Sequence, residues 1–178
     1  MALGIADVVA RVSDAAFGRP LVTNILRGQL VEAMLALVLE PEWLWCAADY
    51  SGWDFERASD GLRLEVKQSS FRQTWAPPAH GKIRSSFDIR PRSGRWEGAQ
   101  FIQEPGRSAQ IYVFGYHGVA DDTADHRCPD QWEFYVIPTS ILPPIARLSL
   151  SSVRALATPV SIRDVPTAIK NTAALPIR

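Results

Sequence analysis

The chain has 178 residues, 47% of them hydrophobic, with 19 basic and 19 acidic side chains and two cysteines. That length and apolar content support one globular domain over 1–178 with a sizeable core. Zero net charge excludes a whole-molecule field for a charged partner, two distant cysteines exclude a disulfide framework, and no apolar run reaches the length of a membrane span. Met1-Ala-Leu-Gly-Ile-Ala lacks the basic start of a signal peptide, so a cytoplasmic location is expected, with no membrane partner.

In chain order, Ile5 to Val12 reads as a helix closed near Gly18-Arg19-Pro20. Leu26 to Leu39 is a second helical run, with Met34, Leu35, Leu37, Val38 and Leu39 filling much of its surface. Glu32 lies within it, with Gly28 and Ala36 one turn away on either side and no basic residue there to pair with. A carboxylate in so apolar a helix either faces solvent or serves a site. Gly28 costs helix stability and either allows a close approach or packs.

The next two runs are strands. Trp53 and Phe55 alternate with Asp54 and Glu56; Leu62, Leu64 and Val66 alternate with Arg63, Glu65 and Lys67. Period two is the signature of strands with one face on a core. Asp60-Gly61 between them is a hairpin turn signal. If Ala58 to Gly61 form the loop, Asp54 lies opposite Glu65, and Trp53–Val66 and Phe55–Leu64 stack on the apolar face. If only Asp60-Gly61 form it, Asp54 faces Lys67. Both registers keep Asp54, Glu65 and Lys67 on one face.

Opposed side chains have Cβ atoms roughly 5 Å apart, and like charges so placed repel. A bound cation reverses that sign. Mg²⁺ takes carboxylate and carbonyl oxygens, waters and substrate phosphates, so Asp54, Glu65 and the carbonyl of Val66 are candidate ligands. Lys67 could orient or deprotonate an attacking water, or neutralise charge on a phosphate. Only three of the 19 basic residues are lysines, and Lys, unlike Arg, can lose its proton when desolvated.

Asp54 followed by Glu65-Val66-Lys67 resembles the PD-(D/E)XK nuclease superfamily. The resemblance implies an α/β fold, a restriction-endonuclease-like mixed central β-sheet flanked by helices, and Mg²⁺- or Mn²⁺-dependent phosphodiester hydrolysis, with DNA as the expected substrate. It implies metal ligation by Asp54 and Glu65, a catalytic amine at Lys67, an outer ligand at Glu32 and an accessory side chain at Gln68. Trp53 stands where the signature has Pro. The similarity covers roughly 22 to 170, with its specificity in the hairpin.

Residues 71–109 read as a basic, loop-rich insertion. Arg72, Lys82, Arg84, Arg90, Arg92 and Arg95 are its candidate nucleic-acid contacts, interleaved with Trp75, Phe87, Trp96 and Phe101 and with Pro77-Pro78. Guanidiniums suit phosphates and rings suit stacking; the bland reading is a solvated insertion whose arginines pair with acids. Ala109 to Gly115 and Gln131 to Ile137 are strands joined by an Asp121–Asp125 loop. Ser140-Ile141-Leu142 is a short turn, and Ser151 to Leu156 and Val165 to Ala174 are short helices, Pro166 suiting a first turn. His117, His126 and Cys128 are irregularly spaced for zinc and lack a fourth ligand. Ser69 and Ser70 lack a supporting histidine motif. No phosphate-binding loop or dinucleotide fingerprint is present.

Two rival readings follow from the same residues. One is a catalytically silent nucleic-acid-binding or assembly module of the same fold. The other is a structural domain whose Glu56–Arg63 and Glu65–Lys67 pairs decorate a solvated sheet face. A homodimer would let two such sites cut both strands.

Overall fold

The structure, a computed structural model, describes residues 3–46, 51–75 and 85–174. Helix α1 (Ile5–Phe17) opens at Gly4, whose N–H donates to the Asp7 carboxylate at 2.9 Å, and closes at Gly18. Ile5, Val8, Val9 and Val12 remain exposed, so α1 adds nothing to the core. Helix α2 (Asn24–Leu39) buries Val31, Met34, Leu35 and Leu39, and leaves Leu37 exposed.

A five-stranded sheet carries the fold. Its strands are β1 (Trp43–Trp45), β2 (Phe55–Arg57), β3 (Arg63–Ser70), β7 (Ile111–His117) and β8 (Trp132–Pro138), in the order β1-β2-β3-β7-β8. Strands β3 and β7 run parallel and the other neighbours antiparallel, so the sheet is mixed. Strand β1 was not foreseen: three residues after a proline are too few to show a period. Every residue of β7 is buried, as expected of a strand covered on both faces.

Two cores account for that burial. On one face α2 and α4 (Val165–Ala173) pack Val31, Leu35, Val165 and Ile169 against Phe55, Leu64, Val66 and Val113. On the other, Tyr112, Phe114, Tyr135 and Ile137 meet Phe87, Ile89, Leu148 and Val153. Those last residues come from β4 (Ser86–Asp88) and the residue after it, β9 (Arg147–Ser149) and α3 (Leu150–Leu156); β4 pairs with β9. The Ser149 hydroxyl caps α3 by accepting from the N–H of Ser152 at 3.1 Å. Within the β3-to-β7 connection, β5 (Arg95–Glu97) and β6 (Gln100–Ile102) form a separate hairpin. The connection is therefore partly built of strands; Pro77, Pro78, Lys82 and Arg84 lie outside the described residues.

The β2–β3 register is the four-residue-loop alternative. Phe55 pairs with Leu64, the N–H of Arg57 donates to Leu62 at 2.8 Å, and Gly61 takes φ +70°. A side chain is strained at such a φ, which explains the glycine. Trp53 corrects the parity reading. It precedes the strand in a bend and packs on the Phe114 face, with the Arg63 guanidinium 3.7 Å from its ring centre. Period two constrains side chains only where the backbone is extended. No helix among the described residues is long and apolar enough to cross a membrane.

Candidate active site

Strand β2 begins only after the bend at 52–54, and that late start creates the site. The N–H of Asp54 donates to the Leu64 carbonyl at 3.0 Å, and its carboxylate accepts from the N–H of Val66 at 2.6 Å. A side chain has replaced the next backbone partner of β3. In an extended strand the N–H and C=O of one residue point the same way, so the Val66 carbonyl opens onto the same edge as Asp54. Glu65 lies between Leu64 and Val66 of β3, and its charge acts on Asp54. Lys67 follows on the face of Tyr112 and Phe114 and contacts the Glu65 carboxylate. Glu32 reaches the same edge from α2, fixed by the indole N–H of Trp45, which donates to it at 3.0 Å.

The electrostatics show a site short of positive charge. Burial pushes the Asp54 carboxyl up to about 7, helped by Glu65 and Glu32; Lys67 and the Val66 N–H oppose the shift without cancelling it. Burial also raises Glu32, with Trp45 and Lys67 acting against it. Without a cation, part of the negative charge is removed by protonation. Among the described residues, no three His, Cys, Asp or Glu side chains group closely enough to hold a metal by themselves. That disfavours a closed zinc centre there, which needs four protein ligands.

Glu65 and Lys67 form part of the lining of a cavity of roughly 200 Å³ with Tyr112, Asp88, Arg90, Arg92, Arg95 and Arg107. Their side chains are only 18% and 23% exposed, so this pair is recessed rather than decorating a solvated face. Glu56 and Arg63 make the looser, more exposed pair, at 3.9 Å. The arginines divide by partner. Arg90 and Arg92 are exposed, and among the described residues neither forms an ion pair with an acid. Arg95 is held by Glu97 and Glu104. Arg107 is tied to the carbonyls of Ile89, Leu142 and Pro143 and braces the cavity wall. Arg72 is not at this cavity: its guanidinium bonds Asp122 at 2.9 Å.

Gln68 faces the start of α2, not the cavity. Its amide donates to the carbonyl and side-chain oxygens of Asn24, and it accepts from Arg27 at 2.6 Å. Arg27 itself was missed. It is 1% exposed, donates to Gln68, Gln73 and Asn24, and has no acidic partner among the described residues. Burial draws it down to about 10. The signal for it was a lone basic residue in an otherwise apolar helix. Arg27→Ala is expected to cost about 3 kcal/mol, because three acceptors lose their buried donor and a cavity opens; urea unfolding measures it.

The other constellations resolve as structure. The N–H of Val22 donates to His126 Nδ1 at 3.0 Å, so Nε2 carries the proton and donates to Ser70 Oγ at 2.8 Å. The imidazole cannot then act as the base for Ser70. His117 Nε2 meets the carbonyl oxygens of Gln131 and Asp125. Burial lowers both histidines, His126 to about 4, with Arg27 and His117 adding to the shift. A depressed histidine stabilises the fold fully above its unfolded pKa, and that contribution is lost as pH falls from about 6.5 through 4. His126→Gln should therefore lose less stability than the parent protein between pH 7 and 4.5, as read from urea midpoints.

No protein-family model matches this sequence, and no curated protein matches it. Among solved structures, the chain is similar to a bacterial homing endonuclease at 15% identity and a TM-score of 0.47, over 85% of this chain and 97% of that one.

Proposed function

We propose that this protein is a metal-dependent nuclease of the PD-(D/E)XK, restriction-endonuclease-like kind, hydrolysing phosphodiester bonds in DNA. The observation that carries the reading is the Asp54 carboxylate held on Val66 of β3, with the neighbouring Glu65 and Lys67 lining an arginine-rich cavity. Asp54, Glu65 and the Val66 carbonyl would hold Mg²⁺ or Mn²⁺, with Glu32 as an outer ligand. Such an ion supplies Lewis-acid polarisation of the phosphate and a more acidic water.

The side chains supply the rest. Lys67, oriented by Glu65, places an ammonium against the oxygens that gain charge as water attacks phosphorus in line. Glu32, fixed by Trp45, accepts a hydrogen bond from the attacking water. Arg90 and Arg92 pair with flanking phosphates. Gln68 acts on the site through Asn24 and Arg27, holding the start of α2 against β3.

Cleavage of supercoiled plasmid and single-stranded DNA in Mg²⁺, Mn²⁺ or EDTA tests this reading. Cutting that requires the divalent ion is the expected result. Retention of DNA without cutting in any metal would replace it with the silent binding module.

A further inference from the structure

The β5–β6 hairpin forms part of the cavity wall, since Arg95 and Trp96 line it. Its two strands pair Trp96 with Phe101, and the rings meet edge to face at 5.4 Å. They are 46% and 45% exposed. Water-facing Trp–Phe pairs forgo the burial that makes such rings useful in folding.

The hairpin is nevertheless fixed in place. Arg95 is clamped by Glu97 and Glu104, and its side chain lies on Gly52, where an added Cβ would stand 3.0 Å from it. Its guanidinium also reaches the ring of Trp53, next to Asp54. At Gly94 an added Cβ would come within 2.3 Å of the Ile102 carbonyl, so the base of the hairpin closes only over a glycine. The aromatic pair is thus held at a set position relative to the carboxylates.

The cavity limits what can reach them. Glu65 and Lys67 are recessed in about 200 Å³ of space, room for one backbone segment. Where the strand delivered there is unpaired, its phosphate enters the recess with the flanking bases free of a stack. Bases beside that phosphate then need new stacking partners, and aromatic side chains provide them with little regard to sequence. Arg90 and Arg92, exposed residues that line the cavity with Trp96, supply the matching charge.

We propose that the β5–β6 hairpin is a base-stacking platform that selects single-stranded or locally unpaired nucleic acid, Trp96 and Phe101 holding the bases that flank the phosphate delivered to Glu65 and Lys67. The inference rests on the nuclease reading and adds the form of its substrate. Fluorescence anisotropy with a labelled oligothymidylate and with a duplex of equal length tests it, in Ca²⁺ and in EDTA. Wild type should prefer the single strand. Trp96→Ala and Phe101→Ala should each weaken that binding by about 5- to 150-fold, leave duplex binding within about 2-fold, and leave the melting temperature unchanged. Trp96→Phe should keep most of the affinity. Alanine variants that bind the single strand as wild type does, or that lose both forms equally, would overturn the platform and leave the nuclease reading standing. Failure of wild type to bind either form would overturn both.

Discussion

Asp54→Asn is expected to abolish metal-dependent cleavage and, at the same time, to make the metal-free protein more stable. The first effect follows from loss of a carboxylate ligand; several kcal/mol of transition-state stabilisation correspond to a fall of roughly 1,000-fold or more. The second follows from where Asp54 sits. Its carboxyl is raised to about 7 by burial and by Glu65 and Glu32. The folded state therefore holds the proton more tightly than the unfolded chain, and stability is lost as pH rises from about 4 through 7. Asparagine keeps an oxygen for the Val66 N–H and carries no charge. A gain of about 2 kcal/mol at pH 8, shrinking toward zero at pH 4, is expected after discounting for partial exposure and coupling. Urea midpoints of both proteins in EDTA measure the difference. Magnesium should narrow the gap, because a ligand that binds only the folded wild type stabilises it by mass action.

Lys67→Ala is expected to separate chemistry from binding. Removing an ammonium from a charge-developing centre costs about 100- to 10,000-fold in rate, while Asp54, Glu65 and the Val66 carbonyl stay in place to hold metal. Single-turnover cleavage should fall by that factor with Mn²⁺ affinity retained. Lys67→Arg should not restore the rate: its planar fork does not fit where a single Nζ meets Glu65. Equal loss of metal binding and cleavage in Lys67→Ala would instead make the lysine an organiser of the carboxylates.

What was legible in the sequence was local and periodic. The alternation through Leu62–Lys67 placed Glu65 and Lys67 on one face, and Asp60-Gly61 marked the turn, because period and turn chemistry are properties of a few neighbouring residues. The choice between two registers was not legible, since both kept the same parity; it rests on Gly61 closing a four-residue loop. Trp53 was misplaced because the strand begins only after it. The basic insertion was legible as a charge excess, yet composition could not sort its arginines. Arg72 is taken by Asp122, 50 residues on, and Arg95 by Glu97 and Glu104, whereas Arg90 and Arg92 stay exposed at the cavity. Arg27 shows the same limit, since Gln68 and Gln73 meet it only after β3 packs on α2.

Binding of Mn²⁺ followed by its electron paramagnetic resonance, at pH 8 in wild type and in Asp54→Asn, tests the central claim most directly. Loss of the free-ion signal on adding wild type, and little loss with the variant, is the predicted result. Equal binding by both proteins, or none by wild type, would contradict a metal centre at the edge of β3.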